Sequence, residues 1–486
     1  MLFSILHISD LHRDLSNDVG NAWLLDSLTR DFERFSEQCP TIMQPTLCII
    51  TGDLVYGVRP DADPGGEELD RQYAQAEGFL AGLAERFFGG NRERIVILPG
   101  NHDVCYAEVM GSAQRIGIPP DPETRARLVD ELFKPGSLLR WSWHELCFFR
   151  IADHERYLNR FSHFAKMYES FYRGRRTFSL MPEQQHDVFA FPDVGFCVVI
   201  LNSCYNNDPF HRAGGFHPAG LTEACRVLRR TDHAGWLIAA AWHHNLVGGP
   251  TQDDYLDAEF LQLLIDAGAS LGFHGHQHLA ACFDERYRLG PNPRKMTIIS
   301  ASTLCAEPRN LKPGVPRSYN IVELDTGTWK GRVHQRHMVN VSFNLPVWGP
   351  GHFNVTNTSF VDFDLCKPLA IRPAHLDTQL ALDRANKLLG ARHWREAVDV
   401  LCKMKDVPLA RPLLMRALGE LDDARCTIEM LWPPLTNAEA VTVGGAILDA
   451  GRPEEAEAFA RLDLVSGSVD ASVCEILYRI CERRLK

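Results

Sequence analysis

Short aliphatic runs, each ending at polar turn residues, recur through the first part of the chain. Five of these runs predict buried strands because of their length and their β-branched content: Phe3–Ile8, Leu47–Thr51, Ile95–Leu98, Leu237–Trp242 and Ser270–Phe273. Between the first three, Trp23–Cys39 and Glu68–Phe88 have apolar residues at helical spacing. Residues 1–103 are therefore predicted to form β-α-β-α-β.

The residues that follow these five runs are rich in metal-binding side chains. They are Asp10-Leu11-His12, Gly52-Asp53, Gly100-Asn101-His102-Asp103, His243-His244 and Gly275-His276-Gln277-His278. Ligands of α/β sheets bind at the carboxyl ends of the strands, so we expect these side chains to share one crevice. Oxygen and imidazole donors without thiolate suit manganese, iron or zinc. The number of donors is too large for one ion and suits two.

The ordered motifs D-x-H, G-D, G-N-H-D, H and G-H-x-H resemble those of the calcineurin-like metallophosphoesterase superfamily. The resemblance covers about residues 1–340, and no motif position is substituted. It implies an α/β fold, a four-layer sandwich of two packed mixed β-sheets flanked by helices. It also implies a phosphoric ester hydrolase with two divalent metal ions. Manganese is the first choice for these ions, with iron or zinc as alternatives.

The resemblance also implies a role for each motif residue. One ion is held by Asp10, His12 and His278, the other by Asn101, His243 and His276, and Asp53 bridges the two. A hydroxide that bridges the ions is the nucleophile. His102 is the implied catalytic residue, near the leaving-group oxygen, as proton donor or electrostatic stabiliser.

Two assignments within these motifs stay open. His243 and His244 are adjacent and point to opposite sides of a strand end. The family pattern favours His243 as the ligand, which leaves His244 as a contact of the substrate or of a ligand. Asp103 either orients His102 or caps the turn, and the two roles are equally compatible with its position.

An insertion at about residues 104–195 separates the third predicted strand from the next core strand. It is too long for a plain loop, so we expect it to carry its own structure and to act as a cap over the site. Residues 140–176 interleave aromatic residues with arginines. The aromatic residues either stack on bases while arginines bind phosphates, or form one buried helical face with the arginines in water. The second interpretation is favoured, and a phosphate contact by residues 173–176 is left open.

Several further elements are predicted after the insertion. A hairpin turn joins Phe189–Phe191 to Phe196–Leu201, and Thr297–Ser302 and Tyr319–Leu324 are predicted to close the second sheet. Three residues and one segment are predicted to lie near the site, each with an ordinary turn or surface role as the alternative. They are Asn202, His211, His217 and residues 307–316.

The composition changes after the predicted catalytic domain, residues 1–345. Residues 346–373 are rich in Pro, Gly, Asn and Thr, and are predicted as a linker with one strand at Phe360–Leu365. Residues 374–486 are predicted to be all-α. Gly390, Gly419 and Gly451 mark a weak repeat of the tetratricopeptide type, with an ordinary helical bundle as the alternative. A helical array predicts a protein partner or self-association.

Composition limits the environment and the substrates. The net charge of −11 argues against a protein that coats nucleic acid. The fourteen cysteines have no C-x-x-C pair, as is typical of reduced thiols. With no signal peptide and no apolar run long enough to span a bilayer, we expect a cytoplasmic location without membrane contact.

These features predict a metal-dependent phosphodiesterase that hydrolyses nucleotide or nucleic-acid diesters. A DNA or RNA nuclease proper is the close alternative. An alternative of another class is a scaffold protein that acts through its helical domain. The complete set of predicted ligands argues against an inactive enzyme.

Overall fold

A computed structural model describes most of the chain. The described residues are 1–14, 19–58, 66–134, 136–229, 233–246, 255–257, 259–286, 294–340, 345–353, 356–367, 373–405, 407 and 410–484. The chain divides into two compact units, Met1–Leu369 and Ala370–Lys486. No helix in these ranges is long and apolar enough to cross a membrane. All fourteen cysteines lie in these ranges as free thiols.

The first unit contains all the strands of the described chain. They are β1 (Leu2–Ile8), β2 (Leu47–Thr51), β3 (Ile95–Leu98), β4 (Ala113–Ile116), β5 (Leu139–Ser142), β6 (Cys147–Ile151), β7 (His186–Phe191), β8 (Phe196–Leu201), β9 (Leu237–Ala241), β10 (Leu271–His274), β11 (Ala281–Arg286), β12 (Lys295–Ser300), β13 (Ser318–Asp325), β14 (Lys330–Met338), β15 (Trp348–Pro350) and β16 (Phe360–Asp364). Its helices are α1 (Asn21–Phe32), α2 (Glu67–Phe87), α3 (Tyr106–Ser112), α4 (Pro122–Leu132), α5 (His154–Leu158), α6 (Ser162–Phe171), α7 (Pro218–Leu228) and α8 (Glu259–Asp266).

The strands form two mixed sheets and one small sheet. The first sheet has the order β15-β14-β13-β1-β2-β3, and β16 also pairs with β14. The second has the order β11-β12-β10-β9-β8-β7. Strands β1, β2 and β3 run parallel, as do β8, β9, β10 and β12. The predicted class, α/β with two mixed sheets and helices, is confirmed. The small sheet β4-β6-β5 lies in the predicted insertion.

The two large sheets pack against each other through alternate residues. On β8, Phe196, Val198 and Ile200 belong to the main core, which also contains residues of β1, β2 and β3. The residues between them, such as Val199, belong to a second cluster with α7 and α8. Strands buried on both faces are apolar throughout, which explains the continuous runs in the sequence. The ring of Phe3 lies 5.3 Å from that of Phe196 between the sheets.

Two predictions about the first unit are wrong. Strand β13 was expected to close the second sheet, but it pairs antiparallel with β1 in the first sheet, opposite the edge of β1 that pairs with β2. Sequence pattern predicts a strand but not its partner. The helix expected over Trp23–Cys39 ends at Phe32. A short 3₁₀ turn at Phe35–Glu37 follows it, and this turn places the Phe35 side chain in the core.

The predicted linker contains two strands. Strand β15 pairs with β14 at one end, and β16 pairs with β14 along its other half. The first sheet therefore extends beyond residue 345, and the division between the compact units falls at Leu369–Ala370.

The second unit is all-helical in its described part, as predicted. Its helices are α9 (Pro373–Gly390), α10 (Trp394–Leu401), α11 (Ala410–Leu421), α12 (Ala424–Leu431), α13 (Asn437–Ala450), α14 (Pro453–Ala460), α15 (Asp463–Ser466) and α16 (Ala471–Arg484). Gly390 ends α9 and Gly451 follows α13, but Gly419 lies inside α11. The turn after α11 instead uses Asp422, with φ of 50°.

A buried ion pair joins the first sheet to helix α1. Arg336 of β14 donates to both carboxylate oxygens of Asp31, at 2.8 and 2.5 Å, and both side chains are almost fully buried. The hydroxyl of Tyr319 donates to the same carboxylate. Every polar atom of Asp31 thus has a charged or hydroxyl partner, which offsets the cost of burying the ions.

Replacing Asp31 with Ala is expected to reduce the free energy of unfolding by about 3–5 kcal/mol, because it leaves the guanidinium of Arg336 buried and unpaired. Asp362→Ala is the matched control on the same sheet. It removes a half-exposed pair with Arg332 and should cost less than about 1 kcal/mol. Urea denaturation of the full chain measures both changes. Equal losses in the two variants would contradict the special role of the buried pair.

Candidate metal centre

The carboxyl ends of five parallel strands meet along one side of the two sheets. Three groups of side chains there have ligand atoms within 4.8 Å of one another: Asp10, His12 and His278; His12, Asp53 and His102; and Asp53, His243 and His276. These groups contain seven of the eight side chains predicted for the site. The eighth, Asn101, contacts His243, so all eight lie together. Their donor set of carboxylate, amide and imidazole fits divalent transition metals.

The first group has the spacing of ligands around one ion. The Nε2 atoms of His12 and His278 are 3.1 Å apart. Oδ1 of Asp10 lies 3.2 Å from Nε2 of His278 and 3.7 Å from Nε2 of His12. Two ligands bonded at about 2.1 Å to one ion are separated by about 3.0–3.4 Å for bond angles between octahedral and tetrahedral. Two of the three separations lie in this range and the third, 3.7 Å between Asp10 and His12, is slightly wider, so the three donor atoms are close enough to share one cation.

The second group is as compact. Oδ1 of Asn101 lies 2.9 Å from Nε2 of His243 and 2.9 Å from Nδ1 of His276. Those two nitrogens are 3.2 Å apart. An amide oxygen and two imidazole nitrogens at these distances again fit one ion.

Asp53 lies between the two groups. Its Oδ2 is 3.3 Å from Nε2 of His243 and 3.9 Å from Nε2 of His12. Its Oδ1 accepts the backbone N–H of His102 at 2.8 Å. One carboxylate oxygen is therefore directed at donors of both groups, which is the position that a bridging ligand requires.

The electrostatics of the cluster show how strongly the residues interact. Burial alone would lower the pKa of His243, but the carboxylate of Asp53 outweighs burial and raises that pKa to about 9. Burial would raise the pKa of Asp53, yet His243 and His102 hold it well below its usual range. Burial, with His102 nearby, lowers the pKa of His12 to about 3. Asp53 is thus ionised and His12 neutral, the protonation states that bind metal, whereas His243 has to release its proton when a metal binds.

Three of the imidazoles have one ring nitrogen within hydrogen-bond distance of a backbone carbonyl oxygen. Nδ1 of His243 lies 2.7 Å from the carbonyl oxygen of Thr51, and Nδ1 of His278 lies 2.8 Å from that of Asn310. Imidazoles that bind metal usually donate the second ring N–H to such an acceptor, which turns the other nitrogen toward the ion. This contact assigns a supporting role to residues 307–316, since Asn310 belongs to them.

The third of these imidazoles is His102, with its Nδ1 2.6 Å from the carbonyl oxygen of Tyr56. Its ring lies 4.7 Å from that of His12. The carboxylate of the adjacent Asp103 accepts the backbone N–H groups of Gly100 and Leu54 and the hydroxyl of Tyr73. Asp103 therefore caps the turn that carries the motif.

The adjacent histidines point to different partners. His243 contacts the donors of the second group, whereas Nδ1 of His244 lies 2.9 Å from Oγ of Ser203 and its Nε2 lies 3.2 Å from Nδ2 of Asn207. Ser203 also accepts the backbone N–H groups of both histidines, at 3.2 and 3.1 Å. Sequence reasoning did not identify Ser203 or Asn207. The only signal was the position of Ser203 at the end of β8.

The backbone of the site has an unusual conformation. Asp10, His12, Asp53, His276 and His278 all have φ between 43° and 72°. Non-glycine residues rarely adopt this left-handed region, and such strain clusters at functional sites. Position 100 requires glycine for a different reason. A Cβ there would lie 2.1 Å from Oδ1 of Asp53.

The other candidates take ordinary roles in the structure. Asn202 forms a turn, in which its side chain accepts the N–H of Cys204 and donates to Gln185. His211 contacts the carbonyl of Asn206 through Nδ1, and His217 precedes α7. None of these contacts involves a predicted metal ligand.

The insertion buries its aromatic face, as the favoured interpretation predicts. The buried side chains include Tyr157, Phe161, Phe164, Tyr168 and Phe171. Of residues 173–176, only Arg176 has ion pairs in the described chain, with Glu93 and Asp187 at 2.7 Å each. Arg173 and Arg175 are exposed. The buried rings are not available to stack on bases.

The arginines of the insertion are not all in water, and this part of the prediction is wrong. Arg140 is buried and donates to Asp208 at 2.7 Å, with Tyr157 also donating to that carboxylate at 2.8 Å. Arg160 is buried against the Tyr157 ring, at 4.0 Å from its centroid. These contacts attach the insertion to the loop after β8, which also contains Asn207. The buried charge of Arg140 is tolerated because it is paired with a carboxylate.

Among the comparisons with known proteins, the match to a family model supports the interpretation of this centre. A sequence model described as calcineurin-like phosphoesterase matches residues 3–280. No curated protein matches the chain. A dimetal phosphatase from Danio rerio is a structural neighbour with 12% identity and a TM-score of 0.37, covering 69% of this chain and 96% of its own.

Two further solved structures are similar at the same low level. The TT1561 protein of Thermus thermophilus has 11% identity and a TM-score of 0.30, covering 68% of this chain and 98% of its own. GAP50, the anchor in the inner membrane complex of Plasmodium, has 9% identity and a TM-score of 0.31, covering 76% of this chain and 90% of its own. At these scores the neighbours carry no functional argument.

Replacing Gly100 with Ala is expected to weaken metal binding by about 10- to 100-fold, because the new methyl group displaces the carboxylate of Asp53. Equilibrium dialysis against manganese, followed by elemental analysis, measures the change. Gly117→Ala is the control, since a Cβ at that position meets no atom within 4 Å. Unchanged manganese binding in Gly100→Ala would contradict the role of Asp53.

Proposed function

Because the chain belongs to the calcineurin-like phosphoesterase family, we propose that it is a phosphodiesterase that hydrolyses nucleotide diesters. The family makes the protein a metal-dependent phosphoester hydrolase with a binuclear centre of divalent ions. The observation that carries the proposal is the convergence of two complete donor groups, with Oδ2 of Asp53 directed at both. A single structural ion would need only one of these groups.

The proposed ligands follow the two donor groups. Asp10, His12 and His278 hold one ion, Asn101, His243 and His276 hold the other, and Asp53 bridges. Manganese is the proposed metal, since the set has oxygen and imidazole donors and no thiolate. When bound, the two ions supply Lewis acidity to the phosphoryl oxygens and lower the pKa of the attacking water.

The other side chains position the substrate and the proton. His102 is the proposed proton donor to the leaving oxygen. Its Nδ1 is engaged at the Tyr56 carbonyl, so Nε2 is the nitrogen left to meet a substrate. The backbone N–H of His102 binds Oδ1 of Asp53, so the imidazole and the bridging carboxylate keep a fixed separation. His244 is the proposed support of the second group, through Ser203 and Asn207.

The described insertion favours small substrates over long strands. Its regularly spaced aromatic rings lie in the core, and Arg140, Arg160 and Arg176 are engaged with protein groups. The net charge of −11 also disfavours a long polyanion. A nuclease proper remains the alternative, and the assay below separates the two.

The helical unit is proposed to be a short repeat array that binds a partner protein or a second copy. Helices α10, α12 and α14 are each eight residues long. Arg395 at the start of α10 pairs with Asp423 before α12, and Arg425 of α12 pairs with Glu455 of α14. Similar ion pairs between α10, α12 and α14 support a structural repeat.

Asp53→Asn is expected to abolish hydrolysis, because it removes the charge that both donor groups share. The assay uses manganese with three substrates: bis(p-nitrophenyl) phosphate, small nucleotide diesters, and labelled single- and double-stranded oligonucleotides. We expect manganese-dependent cleavage of the generic and nucleotide diesters by the natural protein and none by the variant. Rapid cleavage of oligonucleotides would favour the nuclease. Inertness toward all three would overturn the proposal.

His102→Ala is expected to reduce kcat by about 10²- to 10⁴-fold on a nucleotide diester, the usual loss of a proton-transfer group. Bound manganese should stay at the level of the natural protein, since His102 is not a proposed ligand. The control is His144→Ala, an exposed histidine of the β5–β6 turn, which should change neither quantity. Loss of bound metal in His102→Ala would instead make His102 a ligand.

A further inference from the structure

A cavity of about 880 Å³ lies on the first unit, outside the metal centre. Its walls come from four parts of the chain: Leu279–Ala280 after the last motif, Pro308 with residues 311–316, the end of β14 with Val339, and His352. This volume lies within the range of about 300–1,000 Å³ that is typical of small-molecule sites. None of the seven proposed metal ligands lines the cavity.

The cavity nevertheless adjoins the metal centre through two contacts. Asn310 belongs to the segment that forms one wall, and its carbonyl oxygen lies 2.8 Å from Nδ1 of His278. Lys312 lines the cavity and donates to Oε1 of Gln277 at 2.7 Å. Gln277 lies between His276 and His278 in the chain. The short segment with Asn310 and Lys312 therefore contacts the loop of the metal centre on one side and the cavity on the other.

The polar side chains around the cavity favour an anion. Its described lining contains Lys312, His337 and His352 and no Asp or Glu. Lys312 is exposed and has no carboxylate partner in the described chain. The rings of His337 and His352 are 6.3 Å apart, so one phosphate group can contact both. A lysine without an acidic counterion, beside two imidazole rings that can donate hydrogen bonds, favours the binding of phosphate.

The remaining walls are apolar. Leu311, Val315 and Met338 are among the residues that line the cavity. An inorganic anion would leave this apolar surface in water, whereas an organic group attached to the phosphate would cover it. The chemistry of the walls therefore fits a phosphate that carries a heterocyclic or similar apolar body.

We propose that this cavity is a second nucleotide subsite, which binds the nucleoside phosphate of the substrate that is not attacked at the metal centre. Lys312, His337 and His352 bind its phosphate, and the apolar wall packs against its nucleoside. The assignment rests on the proposed function, because it takes the substrate to be a nucleotide diester. It makes Lys312 and His352 determinants of substrate specificity.

The first test measures binding without metal, so that the metal centre does not contribute. Isothermal titration of the EDTA-treated full-length protein uses adenosine 5′-monophosphate as the probe. We expect saturable binding that weakens about tenfold or more in Lys312→Ala and in His352→Ala, since each loses a hydrogen bond to the phosphate. Lys330→Ala, an exposed lysine at the other end of β14, is the matched control and should bind like the natural protein.

Two results of this titration would overturn the subsite. One is the absence of saturable binding by the probe. The other is equal binding by the natural protein, Lys312→Ala and His352→Ala. A parallel titration uses inorganic phosphate, and binding as tight as that of the nucleotide would overturn the nucleoside part of the assignment.

The second test measures kinetics with manganese on two dinucleotides that differ only in a terminal 5′-phosphate. We expect Lys312→Ala to raise KM about tenfold for the phosphorylated dinucleotide and less than about twofold for its dephosphorylated twin. Bound manganese in Lys312→Ala, measured by elemental analysis, checks that the metal centre is intact, and Lys330→Ala should hydrolyse bis(p-nitrophenyl) phosphate like the natural protein. Equal KM changes for both dinucleotides would overturn the subsite. Cleavage of neither by the natural protein would overturn the proposed function, while the titration without metal still decides the subsite.

Discussion

The burial of ionised carboxylates beside a cluster of imidazoles is the constraint on which the rest of this structure depends. Asp10 and Asp53 are almost completely buried where the two sheets meet. Isolated carboxylates would be far too costly in such a place. Histidines partly offset this cost, as the raised pKa of His243 indicates, but their nitrogens also crowd one another at 3.1–3.2 Å. Cations held between the donors would relieve both problems at once.

The surrounding backbone is adapted to this arrangement. Five residues of the centre adopt positive φ, and glycine at position 100 permits the carboxylate of Asp53 to approach the chain. Carbonyl groups of Thr51, Tyr56 and Asn310 orient the imidazoles behind the donors. The strain and the hydrogen bonds come from different strands and loops. The centre is therefore a property of the packed sheets and not of any single motif.

The insertion and the segment at residues 307–316 connect this centre to its surroundings in different ways. The insertion buries its aromatic face and uses Arg140 to bind Asp208 in the loop that also holds His244 through Asn207. The second segment orients His278 on one side and lines a basic cavity on the other. The same short segment therefore contacts both the metal centre and the cavity.

The sequence by itself determined the five core strands, the motif residues at their ends, the buried aromatic face of the insertion and the helical character of the second unit. These features depend on local periodicity and on residue chemistry, and both can be recognised in short stretches of the sequence. Only the tertiary structure decided that β13 joins the first sheet, that Arg140 and Arg160 are buried, and that Ser203 supports the adjacent histidines. It also decided that Lys312 lies beside Gln277. Such pairings join residues far apart in sequence, and no local pattern specifies which distant group will satisfy a strand edge, a charge or a ring nitrogen.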